Sequence, residues 1–334
     1  MVSLEAAVAE LVAGEDGDAA VAQEVFASVD PAPIAARIEQ VCRAELGAGV
    51  EGSTFAEQSI GLVLGLRLED ERHVVAKAHQ PWHRTLEQTA VRVRVQADLH
   101  AEGFPAPRPL AGPVRVPLGP GHLTFEEHVG GEVADAHRPA VRRAMATALA
   151  DLIRLAAPYS GAGLANTWWD WFTGPLWPRP HNRIFDFSRL SGAWIDDLGQ
   201  RARDELATWR SPFIVGHGDW SVKNLRFRDA RIVAVYDWDS LRLQPEVCTV
   251  AAAAVHFPAT WYLEVPRAPT IEEMEAFLAE YEAARGLAFT GPERRAIDVA
   301  AVYAMGYTAR CEHRPGPEGE FQRFLRTLAA RAGF

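Results

Sequence analysis

Apolar residues recur every three to four positions at the start of the chain: Leu4, Val8 and Leu11 with Val12. That spacing predicts a helix. A further helix opens on Asp30 as cap with Pro31 in its first turn, and stops at Gly47. The period then changes. SIGLVLGLRL and HVVAKAH flank a polar turn at Glu69 to Arg72, so Ser59 to His79 reads as a β-hairpin. An amphipathic helix follows from about Thr85 to Ala101, ended by Gly103 and PAPRP. Pro- and Gly-rich sequence runs on to Gly121, and LTFEEHV, Leu123 to Val129, predicts a short strand leading into Gly130-Gly131.

Beyond that glycine pair helical patterns dominate. Val141, Met145, Leu149, Leu152 and Leu155 mark one helix face. Thr270 and Glu273 form a capping box ahead of Met274, Phe277, Leu278 and Tyr281, with Gly286 closing the helix. The exception is a pair of short strands around residues 224–236. A hairpin-rich segment followed by a helical one predicts an α+β fold. The expected divisions are a helical segment over 1–47, a small antiparallel-sheet lobe over 48–129 and a larger, mostly helical lobe over 130–334.

Composition narrows the function. A net charge of −10 disfavours nucleic acid as partner, since phosphate backbones are bound by clustered Lys and Arg. The same acidity suits either solubility or a cationic small molecule. Cys42, Cys248 and Cys311 are few and widely spaced, which predicts reduced thiols, no zinc site and a cytoplasmic protein. The acidic N-terminus does not read as a signal peptide, and the longest apolar run, near residue 252, is too short for a membrane span.

Chemistry concentrates in IVGHGDWSVKNLRF and the following RIVAVYDWDS. A strand end delivers His217, Gly218 and Asp219 onto a loop, Asn224 lies one loop further on, and a second strand carries Asp237 back to the same end. Two carboxylates and an amide oxygen thus converge on one spot. Hard oxygen ligands of this kind suit Mg²⁺, which takes its remaining ligands from phosphates and water. A catalytic-loop Asp, an Asn five residues later and a metal-binding Asp on a following strand is the arrangement that phosphoryl transfer uses in kinases.

HGDxxxxN, a hydrophobic strand and then DWD resemble the aminoglycoside phosphotransferase family, within the wider group that includes choline and homoserine kinases. The resemblance runs with decreasing specificity from about residue 48 to the C-terminus. It implies a bilobal protein-kinase-like fold, with Asp219 as catalytic base and Asn224 and Asp237 as magnesium ligands. It further implies ATP- and Mg²⁺-dependent O-phosphorylation of an aminoglycoside, amino sugar or other polyol, with GTP left open as donor. The alternatives are a metabolic kinase of the sugar, choline or homoserine type and a nucleotide-binding pseudokinase scaffold.

In such a fold Lys77, on the third predicted strand, meets the nucleotide phosphates. The family's helix glutamate has no clear counterpart, because the middle of the helix reads AVRVRVQ. The ion pair falls to Glu87 or to a nonstandard residue. Gly52, Ser53 and Thr54 form either a phosphate cradle, centred on Ser53, or a plain turn. LTFEEHV resembles the interlobe hinge, which puts adenine recognition on the Glu127 carbonyl and the Val129 N–H. The aromatic-rich run from Thr167 to Phe187 is either core packing or an aromatic wall for the acceptor, with Trp168, Asp170, Trp171 and His181 as candidate contacts. Asp239 is a further candidate. Glu272, Glu273, Glu275, Glu280 and Glu282 form either a solvated face or a site for a cationic acceptor.

Overall fold

The computed structural model describes residues 1–14, 18–58, 60–159, 163–164, 171–180 and 185–334. Two compact units divide the chain, one built on Met1–His100 and Pro107–Val129, the other on Ala101–Ala106, Gly130–Pro180 and Phe185–Phe334.

In the first unit, helices α1 (Leu4–Ala13), α2 (Asp18–Phe26) and α3 (Pro31–Leu46) precede the strands β1 (Val50–Gln58), β2 (Leu62–Leu68) and β3 (His73–His79). Then come α4 (Leu86–Ala101), β4 (Pro109–Arg115) and β5 (His122–Glu127). The caps of α3 are those the sequence announces: the Asp30 side chain accepts from Ala32 N, Pro31 opens the first turn, and Gly47 ends the helix at φ 75°. The strands form one antiparallel sheet in the order β1-β2-β3-β5-β4. Alternation turns Leu62, Leu64, Leu66 and Leu68 of β2 to one face, where they share a core with Val8, Leu11, Ile34 and Ile38 of the helices. Burying each such side chain stabilises by about 1.5–3 kcal/mol, so Leu64→Ala would remove a substantial part of the cohesion of this unit.

Three features differ from the expectation. The N-terminal helices are not a segment apart, since their apolar faces complete the core of the sheet. The run from Glu51 to Gln58 is strand β1 and not a loop. The Pro-rich stretch holds β4, which is tolerated because it lies at the sheet edge, where a proline's missing N–H breaks no ladder.

The second unit holds β6 (Phe213–His217) paired with β9 (Leu241–Pro245), and the hairpin β7 (Leu225–Arg228)–β8 (Arg231–Val235). Around them lie α5 (Pro139–Ala156), α6 (Ala193–Leu206), α7 (Glu246–His256), α8 (Ile271–Arg285), α9 (Gly291–Cys311) and α10 (Glu320–Arg331). The Thr270–Glu273 capping box forms in full, and Gly286 ends α8 in the left-handed region. All three cysteines are free and buried. Among the described residues no helix is long and apolar enough to cross a membrane.

Candidate active site

Strand β6 ends in His217, and Gly218 turns the chain. A Cβ at Gly218 would lie 1.8 Å from Arg242 Nε, and the same guanidinium donates to the Gly218 carbonyl at 2.6 Å. Glycine is therefore needed for the approach of Arg242, which holds the loop from β9. His217 is buried and donates from Nε2 to the Tyr236 carbonyl at 3.0 Å, while its Nδ1 accepts from Asp219 N at 3.2 Å. That pattern requires the neutral ring. Burial pushes the pKa of His217 down and so favours the neutral ring, outweighing the pull of Asp219 toward the charged one. His217 thus braces one end of the Asp219 loop against the chain that leads into Asp237.

The other end is tied by Asn224. Its Nδ2 donates to the Asp219 carbonyl at 2.8 Å and to Asp219 Oδ2 at 3.0 Å, and its own carbonyl accepts from Tyr236 N at 2.8 Å. Asp219, Asn224 and the Tyr236–Asp237 corner are thereby brought together. Asp237 has φ 66° and ψ 44°, the left-handed region, where a non-glycine residue carries a strain of roughly 1–3 kcal/mol. Ser240 restrains it: the hydroxyl donates to Asp237 Oδ2, and Ser240 N donates to the Asp237 carbonyl at 2.9 Å.

Lys223 Nζ lies 2.9 Å from Asp219 Oδ2, with side chains 28% and 38% exposed. Burial raises the Asp219 pKa, but Lys223, His217 and Asn224 outweigh it and hold the carboxyl well below the usual carboxylate range. Lys223 Nζ also sits 5.2 Å from the centroid of the Trp261 ring, an indole 60% exposed. Lys223 is accordingly paired with Asp219.

The donor set fits a hard divalent cation. The amide of Asn224 turns its Nδ2 to Asp219, and among the described residues no hydrogen bond reaches its Oδ1. Together with the Asp237 carboxylate, that oxygen makes the sparse set Mg²⁺ takes from proteins. Among the described residues no group of three or more His, Cys, Asp or Glu could hold a metal ion.

In the first unit, Lys77 Nζ lies 3.0 Å from Glu126 Oε1, with side chains only 13% and 6% exposed. Gln96 of α4 donates to Glu126 Oε2 at 2.7 Å and to the Pro107 carbonyl at 2.8 Å. Glu87 is exposed in the first turn of α4 and makes no ion pair among the described residues, which corrects its candidacy as the lysine partner. A nonstandard residue meets Lys77 instead. Glu126 was legible only in part: alternation turns Leu123 and Phe125 to the core and leaves Glu126 on the other face. Which strand lies beside it is not written in the local sequence.

Other candidates fare unequally. Ser53 is buried within β1. Its N–H donates to the Val2 carbonyl at 2.8 Å and its hydroxyl reaches the carbonyls of Phe55 and Gly65, so the cradle loses its central donor. Glu127 ends β5 opposite Val74, its N–H donating to the Arg108 carbonyl at 2.9 Å, and Val129 follows two residues on. Asp239 is half-buried in the turn after Asp237. Trp171 is buried, donates from Nε1 to Gln244 Oε1 at 2.7 Å and packs on Tyr303, so it belongs to the core and not to an acceptor wall. Trp168, Asp170 and His181 lie outside the described residues. The acids of α8 are largely committed within the fold: Glu280 pairs with Arg142, Glu275 with Arg294 and Arg331, Glu282 with Arg294, and Glu273 with His137. Four of these acids are part-buried and paired with basic side chains, and only Glu272 keeps to an exposed face.

No curated protein matches the chain. Among solved structures, the amicoumacin kinase hAmiN, in complex with AMP-PNP, Ca²⁺ and Ami, has a TM-score of 0.66 at 12% identity, over 90% of this chain and 94% of that one. The macrolide 2′-phosphotransferase MphH from Brachybacterium faecium, an apoenzyme, has a TM-score of 0.53 at 17% identity, over 88% of this chain and 97% of its own. A choline/ethanolamine kinase family protein from Mesorhizobium loti has a TM-score of 0.53 at 14% identity, over 89% and 92%. At such identities the likeness establishes a shared kinase-like fold. Residues 62–298 match the phosphotransferase enzyme family, a span that takes in Lys77, Glu126, Asp219, Asn224 and Asp237. The chain therefore belongs to the phosphotransferase enzyme family, as an enzyme that transfers phosphoryl groups to an alcohol acceptor.

Proposed function

We propose that the protein transfers the γ-phosphoryl group of ATP, with Mg²⁺, to a hydroxyl of a small molecule, with Asp219 as the base. The observation that carries this reading is the Asp219 carboxylate itself: ionised, oriented by Asn224 and stationed beside Lys223. An acceptor hydroxyl gives its proton to Asp219 as its oxygen bonds to the γ-phosphorus, and the bond from that phosphorus to the β–γ bridging oxygen breaks. Asn224 and Asp237 would hold the metal, which when bound neutralises charge on the phosphates. Lys77 serves the nucleotide phosphates, and Lys223 offers a second cation to the group in transfer. The amicoumacin kinase complex, with a nucleotide analogue and a divalent ion in a fold of this kind, supports the donor assignment.

The acceptor is an aminoglycoside, amino sugar or other polyol. The arginine partners of α8 remove one ground for requiring it to be cationic. A metabolic kinase acting on sugars, choline or homoserine is the second reading, supported by the choline/ethanolamine kinase neighbour. A pseudokinase scaffold is disfavoured by the intact set of base and metal-ligand side chains. Turnover measured on a panel of aminoglycosides, sugars and amino alcohols separates these readings. No transfer to any acceptor, together with no ATP hydrolysis, would sink the enzyme reading.

A further inference from the structure

Lys77 poses a problem of charge. It lies on β3 opposite Thr124 of β5, with its side chain 13% exposed, and a buried ammonium is unstable without an anion beside it. A residue that binds phosphate must also present its ammonium in one place, although four methylene groups let it wander. In the family this sequence resembles, a helix carboxylate answers both needs. Here α4 offers none at that place. Its buried polar side chains are Thr89, Arg92 and Gln96, and its early acid, Glu87, faces solvent.

We propose that Glu126 of β5, oriented by Gln96 of α4, positions Lys77 for the nucleotide phosphates. The inference rests on the reading of Lys77 as a phosphate ligand and deepens it. Glu126 pairs with Val75 and Lys77 with Thr124, so the two charged side chains are diagonal neighbours on one face of the β3–β5 ladder. The spacing between them is set by the sheet, not by the placement of a helix. Gln96 uses its two amide N–H groups on Glu126 Oε2 and the Pro107 carbonyl, which fixes the carboxylate and leaves Oε1 for the ammonium. The 3.0 Å contact of Oε1 with Nζ is one of charge, without an aligned hydrogen bond to Oε1. Gln96 is neutral and cannot replace Glu126. Glu126 is thus a positioning residue whose partner on the helix is an amide.

The test is calorimetric titration with MgAMP-PNP, beside steady-state kinetics at varied ATP. Glu126→Gln is expected to weaken binding about tenfold or more and to raise KM for ATP more than it lowers kcat, because positioning is lost while Asp219 is untouched. Glu87→Gln should bind as the wild type does. The exchange Glu126→Gln with Gln96→Glu returns a carboxylate from the helix side and should recover part of the affinity. It also keeps the buried charge count, so it stands as the test if Glu126→Gln fails to fold by circular dichroism. A folded Glu126→Gln protein with wild-type affinity overturns the proposal, as does a folded exchange variant that binds no better than Glu126→Gln or, where that variant does not fold, no better than Lys77→Ala. Wild-type protein that binds neither MgAMP-PNP nor MgGMP-PNP overturns the nucleotide reading itself, and this proposal with it.

Discussion

Two ion pairs of nearly equal length, Lys77–Glu126 at 3.0 Å and Lys223–Asp219 at 2.9 Å, sit in contrasting surroundings. The first joins two strands and is almost shut from water. The second spans a single loop, four residues apart in the chain, and is about a third exposed. The contrast fits two tasks. In the proposed positioning pair, burial means that removing Glu126 would strand the Lys77 charge away from water. On the proposed reading Asp219 must change partners, giving up part of its contact with the ammonium to meet an acceptor hydroxyl, and partial solvation keeps that exchange cheap. Geometry alone would have made the two pairs look alike.

The sharpest way to break this comparison is Asp219→Asn. It should lower kcat by about 10²–10⁴-fold while MgAMP-PNP affinity stays near wild type, as read by initial rates and calorimetry. Loss of binding with little further loss of turnover would assign Asp219 the holding role instead. Trp171→Ala comes next in size and serves as a control outside both pairs. Removing a buried indole should cost roughly 3–5 kcal/mol in urea unfolding, with kcat per folded molecule little changed. An acceptor KM that rises with no loss of stability would return Trp171 to the acceptor wall. A smaller effect is expected from Ser240→Ala, which frees the Asp237 carboxylate from its hydroxyl. The Mg²⁺ concentration for half-maximal rate should rise about tenfold, with kcat at saturating metal nearly kept.

The smallest effect concerns a third charged contact. His137 donates through Nδ1 to Glu273 at 2.8 Å and through Nε2 to the Pro266 carbonyl at 2.8 Å, an arrangement that demands the imidazolium. Burial lowers its pKa, but the carbonyl and the Glu273 carboxylate more than offset this, and the net shift is upward. Its contribution to stability is thus complete below the ordinary histidine pKa of about 6.5 and is lost as pH rises through the raised folded value. Urea midpoints of wild type and His137→Gln should lie further apart at acid pH than at alkaline pH. A gap that stays constant would mean that the ring carries no charge.

What was legible in the sequence follows the same division. Asp219, Asn224 and Asp237 lie on one loop and one hairpin, so local spacing was enough to bring them together. Helix caps such as Asp30, Thr270 and Gly286 are likewise local, and they fell where the sequence announced them. Glu126 was missed as a partner of Lys77 because strands β3 and β5 are neighbours only through the order of the sheet, and Gln96 lies 30 positions from Glu126. Strand β1 was missed for a related reason: Gly52, Ser53 and Thr54 carry turn propensity, which pairing with β2 and a bridge to Val2 overrides. The glutamates of α8 left a ligand reading open until their arginine partners, all on other helices, were in view.

The family likeness begins at residue 62, yet α1 to α3 and β1 all precede it. A protein trimmed to that likeness would bare the leucine face of β2 and open its edge, the combination by which sheets recruit strands from other molecules. At the other end, residue 298 falls inside α9, so the same trimming would sever a helix in mid-course. What is inherited as a recognisable pattern and what must be present to keep the sheet covered are therefore different lengths of the same molecule.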